Sequence, residues 1–304
     1  MKIINYVAYL AFRLLLLLIR ITPFGLLYFI SDCFRFFILD IVRYRVNVVK
    51  RNLNLCFPDK SDSEKKIIMK NFFRHFTDLF LESLKGYTLK TEKVAARYTF
   101  PDKSPLLRYY SQGKSVILAF SHYGNWEWAT QTVLFEHKHR MAALYKPLHN
   151  TFIDNYIKTC RQKRGTHLCP IEKTKFMFGL REKQPMGFVL LGDQNPSNTK
   201  RAFWVDFFGI DTCSLHGIEV YSKMFNLPVI YVESAKIARG HYELHFSDIV
   251  PDPSICTPGQ ITQIYMKSVE NSIRRGPEFW LWSHKRWKRT RLADGSVVRS
   301  NYYE

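Results

Sequence analysis

The sequence predicts an α/β fold: a largely parallel central sheet flanked by helices, with an N-terminal hydrophobic membrane-anchoring helical segment. Three observations predict it. Short apolar runs at 115–120, 141–145, 186–191 and 228–233 are separated by helix-length segments, the pattern of strands buried on both faces. Two of these runs end in polar clusters, beginning at His122 and at Asp193, at the strand end where open sheets of this kind bind ligands. Residues 3–31 are dominated by Leu, Ile, Phe and Tyr.

The N-terminal segment, residues 1–40, reads as a membrane anchor. Arg13 and Arg20 interrupt it, so no uncharged run reaches the roughly 18 residues of a clean spanning helix. A shallow or interfacial anchor fits better. Leu14–Leu18 would enter the acyl region, while Phe24, Tyr28, Phe34, Phe36 and Phe37 suit the headgroup boundary. No small-residue cleavage site follows, and Arg35, Arg43, Arg45, Lys50 and Arg51 favour the cytoplasmic side.

Residues 41–304 are expected to form one domain, including a basic, Trp-rich C-terminal segment. Ser61 and Glu64 form a capping-box signature, and Ile68, Phe72, Phe76 and Leu79 follow at helical spacing, predicting a helix over 62–85. Thr257-Pro258 predicts the start of another, running to about Arg275.

The first strand, 115–120, leads into Ser121-His122-Tyr123-Gly124-Asn125-Trp126-Glu127. An unbroken helix would carry Glu127 about 140° around from His122, so the two meet only if the chain turns, and Gly124 supplies the turn. An imidazole at a strand end, backed by a carboxylate that fixes its tautomer, can remove a proton from a hydroxyl. Tyr145-Lys146-Pro147-Leu148 ends the next strand. Beyond it Asp154 and Arg161, seven residues apart, share one helix face. The third strand ends in Gly192-Asp193-Gln194-Asn195. Residues 277–289 interleave Trp280, Trp282 and Trp287 with cations, as lipid-headgroup surfaces and single-stranded nucleic-acid grooves both do.

Charge and cysteines bound the partners. Lys and Arg total 45 against 26 Asp and Glu, and the net charge of +19 favours anionic lipid, nucleic acid or an acidic protein. The six cysteines contain no C-x-x-C pair and read as reduced thiols. Nothing completes a zinc site around Cys160, His167 and Cys169, so no metal is expected.

Taken in order, His122-Tyr-Gly-Asn-Trp-Glu127, Tyr-Lys-Pro-Leu with Asp154 and Arg161, Gly-Asp193-Gln, Phe207-Phe-Gly209 with Thr212, and Trp-Leu-Trp-x-His-Lys-Arg-Trp-Lys resemble the lipid A late acyltransferases. These belong to the wider lysophospholipid acyltransferase group, and the resemblance runs from about residue 40 to 290. Lys146 departs from it: the family usually has Arg there, and Lys keeps the charge without the bidentate fork.

The resemblance implies an enzyme of the inner membrane's cytoplasmic face. It would move a fatty acyl chain from a thioester, carried by acyl carrier protein with coenzyme A left open, to a hydroxyl of a lipid A precursor, without another cofactor. Its implied catalytic pair is His122 as general base with Glu127 orienting the imidazole. Asn125, Lys146, Arg161, Asp193 and Gln194 would bind substrate, with backbone N–H groups near Asn125, or Arg161, stabilising the oxyanion. Arg274–Arg275 and Lys285–Arg289 are the candidate carrier-docking surface. A lyso-aminolipid or other lyso-lipid acceptor stays open. A basic membrane- or nucleic-acid-binding module without chemistry would explain the charge but not the strand-terminal histidine, so nucleic acid is not an expected partner.

Overall fold

The computed structural model describes residues 2–136, 139–162, 165–182 and 184–303. Helices α1 (Lys2–Ile21) and α2 (Phe24–Phe36) come first, and a short π-helical turn, Phe37–Ile41, extends α2. Next are α3 (Val46–Cys56), α4 (Asp62–Gly86), α5 (Thr91–Ala95), β1 (Tyr98–Thr99) and α6 (Ser104–Ser111). The alternating part follows: β2 (Val116–Phe120), α7 (Trp126–Glu136), β3 (Arg140–Tyr145), α8 (Thr151–Gln162), β4 (Thr166–Pro170), α9 (Thr174–Gly179) and β5 (Met186–Leu191). A hairpin of β6 (Phe203–Phe207) and β7 (Ile210–Ser214) leads to α10 (Gly217–Phe225), β8 (Val229–Ala238), β9 (His241–Val250) and α11 (Gln260–Arg275). The last pair is β10 (Arg289–Arg291) with β11 (Val297–Arg299).

All four expected strands form, within one seven-stranded sheet of order β1-β9-β8-β2-β5-β3-β4. Its neighbours are parallel except β8 and β9. Strand β2 is buried along its whole length, and its side chains alternate between two cores. Ile117 and Ala119 face one core with α4 and α11. Val116, Leu118 and Phe120 face the other, with Trp128 and Ala129 of α7. The capping box at Ser61 and Glu64 starts α4 where expected. Helix α11 begins at Gln260, slightly later than expected, behind Gly259 in the left-handed region.

The register between β2 and β5 positions the site. Phe120 is level with Leu191, so His122 and Asp193 each follow two residues beyond the same rung. The Tyr265 hydroxyl ties these strand ends together, donating to the Phe120 carbonyl at 2.6 Å and accepting from the Gly192 N–H at 3.1 Å.

Helix α1 lies lengthwise on α8 and α4. The Asn150 amide donates to the Asn5 carbonyl, Tyr6 meets Phe152 edge-on, and the buried Lys85 ammonium donates to the carbonyls of Ile19, Arg20 and Thr22. Its other side is apolar and exposed: Ile3, Val7, Leu10, Leu14, Leu17 and Leu18. By length and composition α1 is a candidate membrane span.

Gly124 adopts φ +60°, and a Cβ there would sit 1.8 Å from the Ser234 carbonyl oxygen. Backbone against backbone leaves no flexible end to move aside. Gly124→Ala is therefore expected to cost at least about 2 kcal/mol of stability. Urea unfolding monitored by tryptophan fluorescence checks this.

Candidate active site

His122 leaves β2 with its ring one-fifth exposed, and Asp193 leaves β5 almost fully buried. The imidazole Nδ1 lies 2.7 Å from Asp193 Oδ1, and the His122 backbone N–H donates to Oδ2 at 3.0 Å. The Trp280 indole N–H also donates to Oδ2, at 2.9 Å. Burial pushes the Asp193 carboxyl upward, but the facing His122 charge and these hydrogen bonds outweigh it and hold the group down at about 2. An ionised carboxylate only accepts, so Nδ1 carries a proton and the ring is held in one orientation. A histidine held in this way can act as a general base.

This geometry corrects the expected pairing. Glu127 is not the carboxylate on the His122 ring. It lies in the first turn of α7 and accepts both contacts of Arg161 Nη2, at 2.8 and 3.0 Å. Arg161 also donates to the Tyr87 hydroxyl at 3.3 Å. The turn at Gly124 does bring His122 and Glu127 to one cavity of about 150 Å3, which Arg161 also lines. Beyond them its wall is largely apolar, with Ala143, Leu144, Leu168, Val189 and Leu191. Trp126 stands edge-on to the His122 ring.

Asn125 is likewise corrected. It is fully buried, its side-chain oxygen accepts from the Trp128 N–H as the N-cap of α7, and its amide donates to Glu82 at 2.7 Å. It shapes the helix start and has no face left for substrate. Lys146 is exposed and lines a neighbouring cavity of about 220 Å3 together with Arg161 and Asp154. Gln194 is half-buried in the turn after Asp193.

In the Trp-rich segment the indoles and one arginine turn inward, while Lys288 is exposed and Lys285 and Arg289 are half-buried. Trp280, Trp282, Trp287 and Arg286 are all fully buried. Arg286 donates to the Cys213 carbonyl and the Ser214 hydroxyl, and Arg274 and Arg275 pair with Glu270 and Glu233. The segment braces the loop that carries His122. The Leu281 N–H donates to the His122 carbonyl, and the Gly124 N–H donates to that of Phe279. His284 accepts from the Asn195 N–H at 3.0 Å, and burial, helped by Arg286, lowers its ring to about 4, keeping it neutral.

Sequence reasoning missed two further contributors. Tyr265 and Glu82 lie far from the site in sequence and carry no local motif; only sheet register and helix packing bring them in.

Comparison with known proteins shows the family. The family model described as bacterial lipid A biosynthesis acyltransferase matches residues 1–289. The lipid A biosynthesis palmitoleoyltransferase of Escherichia coli (strain K12) is 21% identical over 90% of this chain and 89% of its own length. The lipid A biosynthesis lauroyltransferase of the same organism is 22% identical, covering 82% of this chain and 81% of its own. A lipid A biosynthesis acyltransferase of Haemophilus influenzae is 21% identical over 82% and 79%.

The depressed Asp193 carboxyl sets a pH dependence. A carboxyl lowered on folding adds stability that is fully present above its unfolded value of about 4, and that stability is lost as pH falls toward about 2. Asp193→Asn lacks this contribution. The stability gap between wild type and variant should therefore be widest near neutral pH and narrow between about pH 4 and 2, as measured by urea unfolding across a pH series.

Proposed function

Since the chain belongs to the bacterial lipid A biosynthesis acyltransferase family, we propose that it transfers a fatty acyl chain from an acyl carrier protein thioester to a hydroxyl of a lipid A precursor. The carrying observation is the His122 ring, oriented by Asp193 at 2.7 Å and lining a cavity with apolar residues in its wall.

His122 removes the acceptor's hydroxyl proton as the oxygen attacks the thioester carbonyl. A tetrahedral oxyanion forms, then collapses and expels the carrier thiolate. The imidazolium, balanced by Asp193, returns its proton to that thiolate. The acyl group passes directly to the acceptor, so no acyl-enzyme forms. In the turn before the oxyanion, the N–H groups of Gly124 and Asn125 are already committed, to Phe279 and Ser234. The first two N–H groups of α7, those of Trp126 and Glu127, have no partner among the described residues. They are the oxyanion donors in this reading, with the Arg161 guanidinium beside them. Glu127 serves by holding Arg161 at the cavity rather than by orienting the base.

The apolar walls support a seat for the thioester-proximal part of the acyl chain. The net charge of +19 supports an acidic carrier as donor. Helix α1, packed along the domain with one apolar side outward, supports residues 1–40 as an anchor lying along the cytoplasmic face of the inner membrane, the rest forming the acyltransferase domain.

In His122→Ala protein confirmed to be folded by circular dichroism, acyl transfer should fall by roughly two to four decades, the usual scale for losing a general base. Purified enzyme with acyl carrier donor and lipid A precursor, read by lipid mass spectrometry, measures this; near-full activity would sink the mechanism. Ala143→Leu, which fills the cavity, should shift preference toward shorter acyl donors, each excluded methylene forfeiting about 0.8 kcal/mol of burial. Competition between two donor lengths in one reaction reads that shift.

A further inference from the structure

A cavity of about 700 Å3 lies between α1 and α8, the size of a small-molecule site, whereas the one at His122 holds only about 150 Å3. The smaller space is less than a quarter of the larger. The larger one is walled by Tyr9, Phe152 and Tyr156, with Arg13, Asn155 and Thr159 among them. A second cavity, of about 190 Å3, adds Arg20 and shares Arg13, Tyr87 and Tyr156 with the first. Tyr87 also lines the cavity of Lys146 and Arg161, and Arg161 lines that of His122. Each space thus shares a wall residue with the next, from the anchor helix to the base.

Arg13 and Arg20 lie seven residues apart, two turns along one face of an otherwise apolar helix. Arg13 donates to the Tyr9 hydroxyl and sits 4.6 Å from the Tyr156 ring centroid, and neither arginine pairs with a carboxylate among the described residues. Cations in an apolar anchor are costly, and here no acidic side chain compensates them. Guanidinium groups match phosphate oxygens, and aromatic faces with hydroxyl and amide neighbours match a sugar ring and its hydroxyls.

We propose that the groove between α1 and α8 is the acceptor-headgroup site, and that Arg13 and Arg20 grip a phosphate of a glycolipid entering sideways from the bilayer. The occupant is a phosphate-bearing glycolipid because the groove combines unpaired arginines with aromatic walls on the membrane-facing helix. This rests on the lipid A acyltransferase reading and adds where the acceptor binds and by which group.

The test uses full-length protein in detergent, the pair Arg13→Gln with Arg20→Gln, and the pair Arg13→Lys with Arg20→Lys. Acceptors are a phosphate-bearing lipid A precursor and the same lipid after phosphatase treatment. The glutamine pair should raise the acceptor KM about tenfold or more, with the loss falling on KM rather than kcat and the donor KM unmoved. The lysine pair should recover part of it, and neither pair should alter the KM for the phosphatase-treated lipid. Native mass spectrometry should show wild type retaining the phosphate-bearing lipid in excess inorganic phosphate, and the glutamine pair losing it. An unchanged acceptor KM, equal losses with both lipids, or displacement by inorganic phosphate would overturn the site. Arginine-dependent retention without any acyl transfer by wild type would uphold the site and overturn the proposed reaction, so the two fail separately.

Discussion

The structure depends on one buried carboxylate. Asp193 is charged, almost without solvent, and tolerable there only because the His122 ring, the His122 backbone and the Trp280 indole all donate to it. A buried charge stripped of partners costs several kcal/mol, so each donor must be delivered accurately. The β2–β5 register delivers the first two, since two parallel strands ending level place their second following residues side by side. Tyr265 locks that level by bonding both strand ends at once. The third donor requires the C-terminal segment to cross the catalytic loop, which it does through an antiparallel bridge between Tyr123 and Trp280.

A second buried carboxylate ties this centre to α2. Glu82 on α4 accepts from Tyr28 of α2, from the Asn125 cap of α7 and from Tyr242 of β9, while its backbone carbonyl accepts from the Trp128 indole. Burial raises the Glu82 carboxyl, against the opposing pull of Lys236 and the tyrosine donors. The start of α7, which carries Glu127 and the unpaired N–H groups, is therefore fixed by the same side chain that holds α2. Gly86 allows the close packing this needs: a Cβ there would fall 2.5 Å from the Trp128 indole nitrogen.

What could be read from the sequence follows from the range of each interaction. Strand β2, its terminal histidine, the turn at Gly124 and the capped start of α4 are local, written in periodicity and in residues with special backbone freedom. The pairing of His122 with Asp193 is not local. The sequence marks both as strand-terminal polar residues, but only the sheet order reveals that β2 and β5 are neighbours, so the carboxylate nearest in sequence, Glu127, was the expected partner. The Trp-rich segment misleads for a related reason. Alternating indoles and cations describe an interfacial surface as well as a brace, and Arg286 departs from the usual exposure of arginine by being buried against β7.

The two carboxylates around the base do different work because their environments differ. Asp193 has no solvent and faces the imidazole, so its charge would stabilise a protonated ring. Glu127 is partly exposed and its charge is met by Arg161, so the pair holds a guanidinium at the cavity that His122 also lines. Glu127→Ala would release Arg161, and loss of activity in such a variant would not by itself identify Glu127 as the partner of His122.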